Sequence, residues 1–152
     1  MELLKEGQKA PSFELVDSNG KLHKLSHYNG KNVVLYFYPK DDTPGCTTQA
    51  CDFRDHKQEF ADKNAVVIGI SADDSDSHKK FEDKYGLNII LLSDMAKEAC
   101  KAYGVLQWKE WMGKRSLGIS RTTFIIDENG YIKKVFPKVN PQGHWEVILN
   151  SI

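Results

Sequence analysis

The chain has 152 residues, 40% of them hydrophobic and 28% charged, with Lys+Arg and Asp+Glu equal at 21 each. That length and hydrophobic share suit one domain over residues 1–152 with an ordinary core, and leave no room for a second. The balanced charge offers no basic stripe for nucleic acid and no pull toward an anionic membrane surface, so neither is an expected partner.

No stretch has the apolar core of a signal peptide or the length of a membrane span. Three cysteines, an odd number in a chain large enough to fold without staples, speak against a secreted disulfide framework. They read as reactive thiols or core thiols in a reducing compartment. A cytoplasmic location is therefore expected, and a disulfide there would be transient.

Residues 10–25 place apolar Phe13 and Leu15, then Leu22 and Leu25, around an Asp-Ser-Asn-Gly turn, which predicts a short hairpin on the edge of a larger unit. Residues 31–38 carry an unbroken apolar run, the pattern of a central strand buried on both faces. A helical stripe of Ala50, Phe53, Lys57 and Phe60 predicts one helix from about Thr43 to about Ala61. A buried strand at 65–70, a polar turn, a helix at 75–85 closed by Gly86, a strand at 88–92 and a helix at 94–103 ended by Gly104 follow in alternation. Residues 105–120, with Trp108 and Trp111 among polar residues and glycines at 113 and 118, read as a structured loop or short helix. Asn129-Gly130 between two β-prone runs predicts a hairpin over 121–136, and Trp145, Ile148, Leu149 and Ile152 predict a terminal helix within 141–152. The order defines an α/β chain: a thioredoxin-like fold with a mixed central sheet flanked by helices and an N-terminal β-hairpin extension. Fold alone does not give function.

The chemistry concentrates between Pro39 and Cys51. Thr43 is a good helix N-cap and Pro44 suits the first helical position, so Cys46 falls in the first turn. There the unpaired N–H groups and the positive end of the helix dipole favour a thiolate, the reactive species. Cys51 lies a turn deeper and gains less, which gives Cys46 the attack and Cys51 the resolving step. Five helical steps separate the two Cα atoms by roughly 8 to 9 Å, whereas a disulfide needs about 4.4 to 6.8 Å. Any bond between them requires the first turns to unwind. A sulfenic acid on Cys46 would condense with a nearby thiol. Thr43 offers a hydroxyl to an oxidant, Pro39 can seal the loop on its apolar side, and Arg121 is the plausible cation for the thiolate and for developing oxygen charge.

Pro39-x-x-x-Thr43-x-x-Cys46 resembles the active-site motif of the peroxiredoxins, and Cys46 with Cys51 five positions on resembles the bacterioferritin comigratory protein (peroxiredoxin Q) subfamily. Residues 36–39, 50–55, 118–127 and 143–144 extend the resemblance over most of the chain. Glu is frequent in the family where Gln49 stands, and an aromatic residue where Leu106 stands. The resemblance implies that Cys46 is the peroxidatic cysteine and Cys51 the resolving one, with Pro39, Thr43 and Arg121 completing the pocket. It implies a thiol-dependent peroxidase without prosthetic group, acting on hydrogen peroxide or an organic hydroperoxide. A Cys46–Cys51 disulfide would form and be recycled by a thioredoxin-like reductant.

Plainer readings compete at single residues. Cys46 at a polar Thr-Pro-Gly helix start is poorly placed for a core thiol, but Cys51 could simply fill a helix face, and Cys100 reads as a core thiol. Arg121 taken alone would be a surface ion-pair partner. Cys46, Cys51 and His56 have no common zinc spacing, so no metal is expected. Trp108, Trp111 and Trp145 read as core or pocket wall. A peroxide sensor without turnover, or a general thiol-disulfide oxidoreductase, are the alternative functions. A resolving thiol within the chain makes a monomer the expected state.

Overall fold

The computed structural model describes residues 2–152. Its elements in chain order are β1 (Glu14–Val16), β2 (Leu22–Lys24), β3 (Asn32–Phe37), α1 (Pro44–Asp55), α2 (Lys57–Asp62), β4 (Ala65–Ser71), α3 (Ser75–Tyr85), β5 (Ile90–Ser93), α4 (Glu98–Tyr103), β6 (Leu106–Trp111), β7 (Lys114–Ile119), β8 (Thr122–Ile126), β9 (Ile132–Phe136) and α5 (His144–Leu149). Seven strands form one sheet in the order β2-β1-β5-β4-β3-β8-β9, and β6 and β7 form a separate ribbon. β3 runs parallel to β4 and β4 to β5, whereas β8 and β9 are antiparallel neighbours on the other side. The sheet is mixed and helix-covered, as a thioredoxin-like fold requires, and the N-terminal hairpin β1–β2 extends its edge through Val16 beside Ser93.

β3 is apolar throughout because both of its faces are covered. Val33, Leu35 and Phe37 point into a core with Ala99, Cys100 and Tyr103 of α4, closed by Leu106 and Ile119 at the base of the β6–β7 ribbon. Val34 and Tyr36, followed by Tyr38, point to the opposite core with Cys46, Ala50 and Phe53 of α1, Phe60 of α2, Phe81 of α3 and Ile148 of α5. Tyr36 packs its ring 5.0 Å from Phe53, which in turn meets Phe60 at 5.6 Å. Burying each such ring contributes about 1.5–3 kcal/mol. This aromatic stack seats α1 on the sheet.

Four sequence expectations change. The single helix to Ala61 is two, because His56 leaves the helical region at φ −110°, where its ring lies stacked 3.4 Å from that of Trp145; Lys57, counted in the stripe, is exposed. Residues 105–120 are a β-ribbon rather than a loop or helix: Met112 and Gly113, at φ 51° and 78°, form the two-residue turn that a tight hairpin needs. That turn escapes notice because a Met rarely takes positive φ. Helix α4 starts at Glu98, not at residue 94, since the Asp94 carboxylate instead accepts the Ala99 and Cys100 N–H groups at 3.3 and 2.8 Å. Trp108 is 65% exposed, with the Arg115 guanidinium 5.2 Å from its ring, so it is neither core nor pocket wall. Trp145 is half-buried, and the side chain of Trp111 lies outside the described residues. The terminal helix is confined to α5, after the αL turn at Gly143.

Gly69 on β4 lies beneath Tyr36, where a Cβ would sit 2.7 Å from Cζ and 2.9 Å from Oη of a ring that is only 1% exposed. Gly69→Ala should therefore cost about 1–3 kcal/mol by overpacking, read as a lower urea midpoint with an unchanged slope. An unchanged midpoint would show that the Tyr36 ring can move aside.

Candidate active site

The loop from β3 to α1 is held by α3 and by the turn before it. Asp41, 7% exposed, accepts hydrogen bonds from Tyr38 Oη at 2.6 Å, Ser77 Oγ at 2.8 Å and His78 Nδ1 at 2.7 Å. Its backbone N–H donates to Asp73 at 2.8 Å. Asp42, at φ 56°, accepts from Lys84 Nζ at 2.8 Å and Tyr85 Oη at 2.6 Å. Two consecutive loop residues are thus pinned from one helix, so the chain enters α1 along a fixed path.

Thr43 occupies the N-cap position and Pro44 the first turn, as expected, but the Thr43 hydroxyl caps no helix N–H. It donates to the Lys40 carbonyl at 2.9 Å, which leaves its oxygen lone pairs as acceptors only. Pro39 is exposed where the chain leaves β3. Cys46 is 1% exposed and packs in the core that Tyr36 and Phe53 share, deeper than a polar helix start suggests. Arg121, just before β8, reaches it across the first turn: Nη2 donates to Cys46 Sγ at 3.3 Å and Nη1 to Gln49 Oε1 at 2.9 Å. Gly45 makes that crossing possible, because a Cβ there would lie 3.1 Å from Nη2 and 3.2 Å from Pro141 Cγ. Cys46, Arg121 and Thr43 therefore gather at the start of α1, and among the described residues Arg121 forms no ion pair with a carboxylate.

Cys51 is half-buried on the same intact helix, and all three cysteines are free thiols. Burial, with Asp55 and Asp52 nearby, pushes the Cys51 thiol up against the opposing pull of Arg54. Cys100 is buried, and burial together with its Asp94 contact pushes its thiol far up, which suits a core role. His144 is buried beside Thr123 Oγ1 at 3.0 Å; burial and the Arg121 charge lower its pKa to about 4, so it is neutral near pH 7. Lys109 on β6 donates to the Ile119 carbonyl at 2.8 Å, and burial and Arg121 push its ammonium down while Cys46 opposes them.

Sequence reasoning missed Gln49 as a partner of Arg121, although its place three residues from Cys46 puts both on one helix face. It also missed Asp41 with His78, which no local pattern could join across 37 residues. Asp41, Asp73 and His78 are the cluster among the described residues whose donor atoms lie close enough to share a metal. The hydrogen bonds fill that role otherwise: His78 Nε2 donates to the Leu92 carbonyl at 3.0 Å and Nδ1 donates to Asp41, so the ring is an imidazolium with no lone pair to offer.

A mixed thioredoxin-like sheet, with a cysteine in the first turn of the helix after its central strand and an arginine on the sulfur, defines a thiol enzyme of the peroxide-reducing type. The AhpC/TSA family matches residues 6–135. Peroxiredoxin Bcp of Bacillus subtilis is 49% identical over 146 residues, covering 96% of this chain and 93% of its own. Peroxiredoxin Bcp of Escherichia coli K12 is 42% identical over 150 residues, covering 99% and 96%. A mutant of Xylella fastidiosa PrxQ superimposes with a TM-score of 0.93 at 34% identity over 99% of this chain and 96% of its own. The bacterioferritin comigratory protein of Xanthomonas campestris, described for alkyl peroxide reduction, gives 0.91 at 34% identity over 97% and 96%. The chain belongs to the AhpC/TSA family and, within it, to the Bcp/peroxiredoxin Q group of thiol-dependent peroxidases.

The His78–Asp41 pair makes the loop pH-dependent in a defined direction. Burial alone would lower the His78 pKa from 6.5, but the Asp41 hydrogen bond and charge, the Leu92 carbonyl and Asp73 outweigh it and raise the value. A raised folded pKa contributes stability that is full below the unfolded value and is lost as pH rises through the folded one. His78→Gln, which leaves Asp41 with Tyr38 and Ser77 alone, should cost about 3–5 kcal/mol at pH 6, and urea titration should show the gap narrowing as pH rises toward 9. A gap that stays constant over that range would disprove the imidazolium assignment.

Proposed function

We propose that Cys46 is the peroxidatic thiol and Cys51 its resolving partner, with Arg121, Thr43 and Pro39 forming the peroxide pocket. The observation that carries this reading is the 3.3 Å contact from Arg121 Nη2 to Cys46 Sγ at the first turn of α1. A permanent cation there favours the thiolate, and the N-terminal end of the helix adds to it. The thiolate attacks the terminal oxygen of hydrogen peroxide or an organic hydroperoxide, an S–O bond forms, the O–O bond breaks, and the leaving oxygen takes a proton as water or alcohol. Arg121 stabilises the negative charge that develops on the oxygens. Thr43, its O–H committed to Lys40, accepts the proton-bearing end of the peroxide. Pro39, by its exposure, is rim rather than floor.

Cys46 sulfenic acid then condenses with the Cys51 thiol, releasing water and forming a disulfide that guards against further oxidation. Both cysteines now lie on one unbroken helix, where ideal geometry sets their Cα atoms roughly 8 to 9 Å apart. The first turns of α1 must open before the bond can close. A dithiol reductant of the thioredoxin class attacks the disulfide and returns two thiols by exchange. The chain works as a single-domain monomer, since both thiols are its own. No helix among the described residues is long and apolar enough to cross a membrane, and the transient disulfide suits a reducing, cytoplasmic setting.

Two measurements test this. Cys46→Ser should lose peroxide-dependent reductant consumption in a thioredoxin-coupled assay, whereas wild-type protein turns over many times; retained activity in the variant, or a wild-type stop after one equivalent, would overturn the enzymatic reading. Peptide mapping after one equivalent of peroxide should recover a Cys46–Cys51 crosslink. A crosslink to Cys100 or between chains would reassign the resolving role.

A further inference from the structure

Lys109 on the β6–β7 ribbon is exposed, yet its amine is held: Nζ donates to the Ile119 carbonyl at 2.8 Å. The side chain crosses the facing strand at Gly118, where a Cβ would lie 2.9 Å from Cδ, 3.1 Å from Cε and 3.4 Å from Nζ. Gly118 is not among the glycines at positive φ, so its backbone does not call for glycine. What the missing side chain supplies is a track for this lysine. Ordering a long, flexible cation costs conformational freedom. No carboxylate offsets that loss, since none of the ion pairs among the described residues includes Lys109.

The carbonyl that holds the amine lies two residues before Arg121, whose Nη2 meets Cys46 Sγ at 3.3 Å. Burial and then the Arg121 charge push the Lys109 ammonium down, while the Cys46 charge opposes them, so the lysine stands within electrostatic reach of both. Alternation along β6 turns Trp108 and Glu110 to the other face of the ribbon, with Glu110 opposite Arg115. The other titratable groups near the sulfur or the guanidinium are Tyr36 of β3 and His144 of α5, and neither is a carboxylate. Asp41 and Cys51 also act on Tyr36, but the Asp41 oxygens are occupied by Tyr38, Ser77 and His78.

We propose that Lys109 is a second cation of the peroxidase site: strapped across Gly118 to the Ile119 carbonyl, it adds its positive charge to that of Arg121 at the Cys46 sulfur. Two like charges brought near one another oppose each other's ionisation. An anion close to both reverses that penalty, and the Cys46 thiolate, followed by the oxygen charge that develops as the O–O bond breaks, is that anion. Arg121 touches the sulfur, whereas Lys109 acts on it through space. Its exposed stem leaves the charge open to screening, so its effect is smaller than that of Arg121 and shrinks as salt is added.

The inference rests on Cys46 being the attacking thiol, and turnover by Cys46→Ser would defeat that premise whatever the Lys109 variants do. The test of Lys109 itself uses the full chain with Cys51→Ser and Cys100→Ser, following iodoacetamide alkylation of Cys46 against pH at low salt, together with peroxide kcat/KM measured with all three cysteines present. Lys109→Gln should raise the alkylation midpoint by about half a pH unit and lower kcat/KM about threefold at pH values below that midpoint. Lys109→Arg keeps the charge and should leave the midpoint with the parent's. Gly118→Ala, whose methyl group displaces the amine without removing its charge, should move the midpoint in the same direction by less. A K109Q midpoint equal to the parent's, or a K109R midpoint displaced as far as that of K109Q, would overturn the proposal. So would a lower melting temperature in K109Q and G118A with both midpoints unmoved, the result expected of a strap that only steadies the ribbon.

Discussion

The hydrogen bond from Arg121 to the Cys46 sulfur joins parts of the chain 75 residues apart, and the surrounding architecture serves to make it possible. Cys46 is brought to the edge of the core by α1, which follows β3, while Arg121 is brought by β8, the antiparallel neighbour of β3. Because both groups hang from adjacent elements, their separation is fixed by strand spacing rather than by a long loop. The glycine at position 45 removes the side chain that would stand between them. A charge-bearing contact to a buried sulfur needs this rigidity, since both its strength and its effect on the thiolate fall quickly with distance.

The two faces of the sheet divide the work. On one side, α4 and the base of the β6–β7 ribbon pack against Val33, Leu35 and Phe37 around a Cys100 thiol that burial keeps protonated. On the other, aromatic rings form a platform under α1, and the His78–Asp41 and Asp42–Lys84 contacts hold the incoming loop. The candidate site is thereby confined to one end of one helix. Asp42 in the left-handed region shows the loop bent to a path its own preferences do not supply, and α3 supplies the restraint.

Much of this was legible from residue patterns. The apolar run over residues 31–38 marked the central strand, Gly86 the end of α3, and Asn129-Gly130 the β8–β9 turn, because these features act locally. The Thr-Pro-Gly-Cys start placed Cys46 in the first turn for the same reason. What escaped depended on contacts distant in sequence or on unusual backbone. The Met112-Gly113 turn uses a methionine in a conformation its side chain disfavours. The Thr43 hydroxyl bonds back to Lys40 instead of capping, a choice set by the loop path. The Asp41–His78 pair and the Arg121–Gln49 contact join elements that only the folded sheet brings together.

The first turns of α1 must form the pocket and also give way if Cys51 is to reach an oxidised Cys46. Their composition meets both demands. The N-cap lacks its side-chain hydrogen bond, an omission worth about 1 kcal/mol. Gly45 within the first turn has low helix propensity, and the amide nitrogen of Gln49 is buried without a partner among the described residues. Against these stand the burial of Cys46 and Ala50 and the Arg121 bonds, all of which belong to the reduced, folded site. Further along, Phe53 is locked in the aromatic stack and His56 lies against Trp145. Opening can therefore start at Pro44 and stop before Phe53, which frees the segment that carries both thiols while the rest of the helix stays docked. If Cys46 is the attacking thiol, as proposed, its conversion to a sulfenic acid leaves Arg121 a neutral partner in place of a thiolate, which weakens the contact that keeps the turn closed.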